Sequence, residues 1–375
     1  MMGLTPEDAL RLNVLLAGSL EAVRIDESSM TLYALSGKGE ARVKLNPNCR
    51  DESYLRQVRE TLSSHVLGSP GGYPVYLKRW TRMGQARDEI LESLLLLGEP
   101  EAVIAVVNAC GITDELARRA WWTSQTAENA RCMLRQEAVV AGNMGPVLAE
   151  FLVEFLPFEE EARDQIASVR LVLQGGLVDE SVRRALWEKG RYKNALHVGF
   201  LQSVPDALPD LPAASPVCAE ISGRLDVLVT AGNPYAKQLC RLLSPAGQAW
   251  LETVQTVLKK PLNQDVMVEL MHSIVAYFEP LPFERQQLTD IQDIVATVDS
   301  MLDAAPVELP QLASLLQEVP DAMQQVRAML VLSMADERVL NPVFSRTDAI
   351  GTVMRKKLKP VSEPLQEQLN ILAAQ

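Results

Sequence analysis

The spacing of apolar positions changes along the chain and divides it into a short mixed part and a long helical part. Near the start, segments 20–25, 30–35 and 40–45 either alternate apolar with polar residues or are rich in branched apolar residues. Turn-forming residues at 26–29 and 36–39 separate these segments. We expect them to form a three-stranded antiparallel meander.

Two predicted helices flank this meander. Thr5 has the side chain of a helix N-cap, and Pro6 suits the first helical position after it. A second helix should begin at Asp51, because four apolar residues share one helical stripe from there on: Leu55, Val58, Leu62 and Val66. That stripe can cover one face of the sheet, which a small sheet needs for stability.

From about residue 85 the pattern becomes helix, short glycine or proline breaker, helix. A linker of glycine, proline and aromatic residues is predicted at 68–84, and a stiff proline-rich linker at 205–216. The predicted domains are a small α+β domain at 1–67, a helical domain at 85–204 and a second helical domain at 217–375. The fold class is therefore mainly α, with helical-repeat, α-solenoid-like hairpins behind a small α+β domain.

One stretch of the chain occurs twice. Residues 111–130 align without a gap to residues 176–195, at an offset that would make 85–204 a pair of 65-residue repeats. Nine positions are identical: Gly111/Gly176, Asp114/Asp179, Glu115/Glu180, Arg118/Arg183, Arg119/Arg184, Ala120/Ala185, Trp122/Trp187, Asn129/Asn194 and Ala130/Ala195.

Most of these repeated residues have an architectural explanation. Asp114 and Asp179 are predicted N-caps, and each following glutamate should pair with the arginine four residues later. The opposite helix face should be core, and it comprises Ala117, Ala120 and Trp121 in the first copy and Val182, Ala185 and Leu186 in the second. For Asn129 and Asn194 we expect hydrogen bonds between helices.

Composition narrows the classes of function. The net charge of −12 argues against general binding of nucleic acid, which favours a basic footprint. The five cysteines are odd in number and scattered, and only three histidines are present, so neither a disulfide framework nor a zinc site is expected. The apolar stretch 90–110 contains three glutamates and fails as a membrane span. We find no secretory signal and expect a cytoplasmic protein without a cofactor.

The best candidate site lies in the first predicted linker, where aromatic and basic residues alternate after a pair of glycines. Residues 68–87 contain four cations and no acid. Such a segment could contact a partner or an anion, although packing of its aromatic residues under the helices is the commoner outcome. The candidate contact residues are Tyr73, Tyr76, Lys78, Arg79, Trp80 and Arg82.

Four further features could carry chemistry but have plainer explanations. The arginine pairs of the repeat could bind an anion, yet the nearby glutamates favour self-neutralised helix faces. The basic segment 355–359 could contact a partner or RNA, but a solvated helix end is the commoner outcome. Cys132 aligns with His197 across the repeat, and a packed histidine is the simpler interpretation. The acids Glu159–Glu161 suit a helix start.

The chain resembles the DsrS family at three segments: GSPGGYPVYLKRWTRMGQ at 68–85, DELARRAWW at 114–122 and KNALHVGFL at 193–201. These are cytoplasmic accessory proteins encoded with the reverse dissimilatory sulfite reductase system of sulfur-oxidising bacteria. The resemblance implies a protein needed for sulfur oxidation, with a regulatory or assembly role and no established reaction or cofactor.

Three hypotheses follow from the sequence. The favoured one is a non-enzymatic accessory or adaptor protein that binds protein partners, possible partners being components of the sulfur-oxidation machinery. The first alternative is a regulatory nucleic-acid-binding protein that uses basic segments 73–87 and 355–359. The second is a cysteine-based sulfur carrier that uses Cys110, Cys132 or Cys240.

Overall fold

The protein is mainly helical, as the sequence predicts. The computed structural model describes residues 3–68, 90–345 and 349–373. Within these ranges the chain forms twenty α-helices and one three-stranded antiparallel sheet. It folds into two compact units, residues 1–155 and 156–375.

The first unit begins with the predicted sheet and its two flanking helices. The strands follow one another in the order of the chain, so the predicted meander is confirmed. Their bounds are α1 Pro6–Leu16, β1 Leu20–Asp26, β2 Thr31–Ser36, β3 Gly39–Lys44 and α2 Asp51–Leu67. Thr5 caps α1 by accepting a hydrogen bond from the backbone N–H of Asp8.

One face of the sheet packs on α1 and α2 around a common core. Val23, Leu32 and Val43 from the strands meet Leu12 of α1 and Val58 of α2, all of them buried. The register explains this face, because residues directly opposite one another, such as Leu32 and Val43, point to the same side of the sheet.

The rest of the first unit is six helices, and contacts with β1 and β3 join them to the sheet. They are α3 Leu91–Leu94, α4 Pro100–Val107, α5 Asp114–Thr123, α6 Ala127–Met133, α7 Glu137–Val140 and α8 Met144–Phe155. The backbone N–H of Val23 donates to the carbonyl of Leu95, and Trp122 donates from its indole to Glu40. The sheet of the predicted 1–67 domain thus shares one compact unit with the helices up to Phe155.

The second unit contains the remaining helices. They are α9 Ala162–Val172, α10 Glu180–Gly190, α11 Asn194–Ser203, α12 Pro216–Thr230, α13 Pro234–Leu243, α14 Pro245–Lys259, α15 Gln264–Tyr277, α16 Ile291–Glu308, α17 Pro310–Glu318, α18 Met323–Met334, α19 Asn341–Phe344 and α20 Gly351–Leu372. Prolines open four of these helices at N1, where the missing N–H leaves no helical hydrogen bond unmade: Pro216, Pro234, Pro245 and Pro310. Pro342 is the second residue of α19.

The proline-rich segment at 205–216 packs against the second unit along its length. Leu208 is buried, and Asp206 forms a bidentate pair with Arg241 at 2.7 Å. Asp210 accepts hydrogen bonds from the indole of Trp187 at 2.7 Å and from Arg184 at 2.6 Å. The segment is an extended strap between α11 and α12, where the sequence suggests a spacer between domains.

The two copies of the repeated sequence lie in different units, since α5 belongs to the first and α10 to the second. Asp179 is the N-cap of α10, as predicted, and accepts the N–H of Val182 at 2.8 Å. The prediction for Asp114 is wrong: Thr113 is the N-cap of α5, and Asp114 is its first helical residue.

The predicted ion pairs and core positions also differ between the copies. Glu115 pairs with Arg119 at 2.8 Å as expected, whereas Glu180 pairs with Arg183 at 3.5 Å. Ala117, Ala120 and Trp121 are buried, and so is Leu186. Ala185, however, is exposed and Val182 only half-buried, because α10 is covered on one narrow side.

Helix ends are satisfied by side chains that reach over from a neighbouring helix. The carboxylate of Asp114 accepts the N–H groups of Asn143 and Met144, at 3.1 and 2.9 Å, and so caps the start of α8. Gly142 makes this possible, because a Cβ there would lie 2.2 Å from an Asp114 oxygen.

The repeated asparagines serve helix C-termini in the same way. The amide of Asn129 donates to the carbonyl of Ser124, the C-cap of α5, at 3.0 Å. The amide of Asn194 donates to the carbonyl of Lys260, the C-cap of α14, at 2.7 Å. The expected inter-helix hydrogen bonds are confirmed for both residues.

His197 is a packed histidine in α11. Its ring lies 4.4 Å from that of Trp187, and its Nε2–H donates to the Trp187 carbonyl at 3.1 Å. The other ring nitrogen is buried and has no partner among the described residues. Burial therefore lowers the pKa of His197 below its ordinary value of 6.5.

The cap on α8 yields the first prediction. Gly142→Ala forces the Asp114 carboxylate away from Asn143 and Met144, so we expect the free energy of unfolding to fall by about 1–2 kcal/mol. Asp114→Ala should have a similar effect, and the double variant should lose less than the sum, because both changes break one cap. Urea unfolding measures all three.

Gly223→Ala in α12 is the matched control, since no atom lies within 4 Å of the added Cβ. It should raise stability by about 0.5–1 kcal/mol, because alanine is the better helix former. Strict additivity of Gly142→Ala and Asp114→Ala would contradict the shared cap.

His197 gives a prediction about pH. Protonation would place an N–H on the unpartnered Nδ1, so the unfolded chain binds the proton more readily than the folded one. The stability contributed by the neutral ring is present above pH 6.5 and should be lost as the pH falls below it. In His197→Gln the urea-unfolding free energy should decline less between pH 8 and pH 5.5 than in the unmodified protein. Equal declines in the two proteins would refute this.

Candidate functional site

The contact residues predicted in the first linker lie outside the described residues. This applies to all six: Tyr73, Tyr76, Lys78, Arg79, Trp80 and Arg82. Their role stays a prediction from the sequence.

The repeated arginines are engaged within their own units. Arg118 binds Glu21 of β1 at 2.6 Å and Glu115 at 2.7 Å. The hydrogen bonds from Arg118 and then from Arg119 lower the pKa of Glu115 to about 2. In the second copy, Arg183 donates to the carbonyl of Ala207 in the strap. All of these arginines hold the unit together, so they do not form a free anion-binding stripe.

The repeated tryptophans show what the duplicated helix face does. Trp122 binds Glu40 of β3, and Trp187 binds Asp210 of the strap, in each case through the indole N–H. The hydrogen bond from Trp187, followed by that from Arg184, lowers the pKa of Asp210. Each copy therefore binds one acidic side chain of its own unit through its tryptophan.

The thiols and acids singled out by the sequence are separated from one another. Cys110 is exposed, Cys132 is buried and Cys240 is half-buried. Burial raises the pKa of the Cys132 and Cys240 thiols, which disfavours the thiolate that sulfur transfer needs. Glu159 is buried and accepts a hydrogen bond from Ser168 at 2.9 Å.

The basic segment 355–359 lies on α20 and flanks its buried face. Met354, Leu358 and Val361 point inward at helical spacing, which leaves Lys356 and Lys359 exposed beside them. Arg355 is half-buried and donates to the hydroxyl of Thr352 at 2.9 Å. The segment is thus a packed helix, and its residues Arg355, Lys356 and Lys359 line one groove.

The end of α14 forms the other wall of this groove. Pro261 cannot continue the helix, so α14 stops at Lys259 and leaves Lys259 and Lys260 exposed at its C-terminus. Cations suit this end because the helix dipole is negative there. The groove between α14 and α20 has a volume of about 330 Å³.

Two further lysines reach the same region from α10 and α11. The hydrogen bond from Asn194 to the carbonyl of Lys260 sets the start of α11 against the end of α14. Lys193 precedes Asn194, and Lys189 lies one helical turn earlier. Between them the ring of Tyr192 is 93 % exposed, and Leu156 and Leu196 line an apolar pocket beside it.

Six cations from three parts of the second unit line these two pockets or lie next to the Asn194–Lys260 hydrogen bond, and we call them together the cationic face: Lys189, Lys193, Lys259, Lys260, Arg355 and Lys356. None of the five lysines forms an ion pair with a carboxylate of the described residues. The neighbouring Lys359 does, with Glu363 at 2.9 Å. A local positive surface can attract and bind an anionic ligand even though the net charge of the whole chain is −12.

Sequence reasoning found only the α20 part of this face. The pair Lys259–Lys260 before Pro261 is a readable signal for a helix end that carries charge. The meeting of residues near 190, 260 and 355 depends on tertiary packing, which spacing along one sequence does not encode.

Two other features are absent from the described residues. No group of three or more His, Cys, Asp or Glu residues there is arranged to hold a metal ion. Within the same ranges, no helix has both the length and the apolar character needed to cross a bilayer.

Comparison with known proteins places the chain beside none of them. No family model matches the sequence, and neither the curated proteins nor the solved structures contain a match. The resemblance to the DsrS family accordingly stays a prediction made from its three sequence segments.

Proposed function

We propose that this protein is a non-enzymatic cytoplasmic accessory or adaptor protein that acts through protein–protein contacts in regulation or assembly. The DsrS-like segments point to the sulfur-oxidation machinery as the setting. The observation that carries the proposal is the cationic face, where lysines without carboxylate partners converge on a chain that is otherwise acidic.

The partner chemistry follows from this face. Its lysines are exposed and project from helix ends that are fixed by packing, so an acidic segment of a partner can meet several charges at once. Exposed charges steer association and set specificity more than they add affinity. Such binding is reversible and salt-sensitive, which suits a regulatory or assembly contact.

Binding of an acidic probe tests the proposal. A fluorescein-labelled polyglutamate peptide should bind at low salt, and Lys260→Glu with Lys356→Glu should weaken it about tenfold or more, since two attractions become repulsions. Fluorescence anisotropy measures the change. The matched control is Lys38→Glu with Lys237→Glu, which makes the same charge change at exposed lysines elsewhere. An equal loss of peptide affinity in both double variants would contradict the proposal that the cationic face is the binding site.

A second candidate function is binding of single-stranded nucleic acid, and one observation favours it. The ring of Tyr192 stands free between Lys189 and Lys193, an arrangement on which a base can stack while the lysines contact phosphates. From the segment 355–359 of the sequence-based alternative, Arg355, Lys356 and Lys359 line the groove beside α14.

A titration with single-stranded RNA separates the two functions. If nucleic acid is the ligand, Tyr192→Ser should weaken RNA binding several-fold and leave polyglutamate binding unchanged, because only a base stacks on the ring. Phe158→Ser, at another exposed aromatic residue, is the control. RNA binding that is absent at low salt, or insensitive to Tyr192, would dispose of this alternative.

A further inference from the structure

The sheet of the first unit has one open edge, along β3. The strand order leaves β3 with a neighbour on one side only. The backbone N–H of Leu45 donates to the carbonyl of Met30. Because every second residue of an antiparallel strand bonds to the same neighbour, Gly39, Ala41 and Val43 also bond to β2. The backbone groups of the alternate residues point away from the sheet.

Helix α1 protects one end of this edge and leaves the rest open. The carboxylate of Asp8 accepts the N–H of Asn46 at 2.7 Å, and Arg11 donates to the carbonyl of Lys44 at 3.4 Å. No described residue bonds to the backbone N–H or C=O of Glu40 or Arg42. Glu40 and Arg42 are successive outward-pointing residues of the strand. Each therefore leaves one backbone N–H donor and one C=O acceptor available to a further strand.

A groove of about 800 Å³ runs along this edge and has two different walls. On the α1 side it presents Leu10 and Val14, which are 65 % and 68 % exposed and lie one helical turn apart. On the opposite side of the sheet it presents Tyr33 and Arg42, which face each other across the strands.

The charges along the groove have one sign. Its charged lining residues are Arg11, Arg42 and Lys44, and no acidic side chain lines it. Arg11 is paired with Glu7, whereas Arg42 and Lys44 have no carboxylate partner among the described residues. Charge complementarity thus calls for an acidic ligand on the Arg42 side.

We propose that the β3 edge binds an extended segment of a partner protein as a fourth strand, with apolar residues toward α1 alternating with acidic residues toward Arg42 and Lys44. Successive side chains of a strand point to opposite faces, so an alternating segment meets both walls at once. Main-chain hydrogen bonds to Glu40 and Arg42 hold the strand, and the two walls select its sequence. This surface is separate from the cationic face and does not depend on it.

The experiment uses the full chain and a labelled peptide of alternating valine and glutamate. Anisotropy should show saturable binding, and the amide hydrogens of Glu40 and Arg42 should exchange more slowly when the peptide is bound. A peptide with the same residues in block order should bind at least tenfold more weakly, because its side chains no longer match the two walls.

Two variants test the edge itself. Arg42→Pro removes a donor that faces the groove and leaves the bonds to β2 in place, so binding should fall at least tenfold. Val14→Ser changes an exposed residue of α1 and should weaken binding several-fold without affecting folding. Val227→Ser, at a valine of similar exposure in the second unit, is the control and should have no effect.

Several outcomes would overturn the proposal. One is a peptide that fails to bind, and another is a peptide that binds equally well to Arg42→Pro and Val14→Ser. A third is a chain that dimerises with rising concentration unless Arg42→Pro is present, since the occupant of the edge would then be a second copy.

Discussion

The constraint on which this structure depends is the number of helix ends. Each end leaves backbone groups without partners inside the helix, and short helices multiply such ends relative to their length. The molecule meets this demand with side chains from neighbouring helices, as Asp114 does at the start of α8 and Asn194 at the end of α14. Arg285 does the same at the end of α15, where it donates to the carbonyl of Phe278 at 2.7 Å. The same contacts between helices thus pack the helices together and provide hydrogen-bond partners for their ends.

The parts of the structure that depend on local rules could be predicted from the sequence. The meander, the helix after Asp51 and the Asp179 cap are set by alternation, helical spacing and capping chemistry, and all three are confirmed. Asp114 shows where this reasoning fails, because Thr113 competes for the same cap and the carboxylate finds other donors 29 and 30 residues away. The cationic face was found only in part for the same reason, since its lysines meet through tertiary contacts.

Two local positive surfaces on this acidic chain have different physical origins. On the cationic face, Lys189 and Lys259 lie in the last turns of α10 and α14, where the negative end of the helix dipole favours a cation. On β3, cations on an exposed edge discourage uncontrolled pairing with other strands. Both placements have a structural reason, and both leave charge that a partner of opposite sign can use. In contrast, the repeated arginines of α5 and α10 are consumed by carboxylates of their own units.

The place where the units meet along the chain has a consequence for dissecting the protein. Helix α8 ends at Phe155 and a 3-10 turn begins at Leu156, so the boundary carries no spacer. A cut in the proline-rich strap would strip α9–α11 from a unit in which residues 195–201 of α11 are buried throughout. Fragments intended to stand alone should therefore be divided at 155/156, where each piece retains its own core.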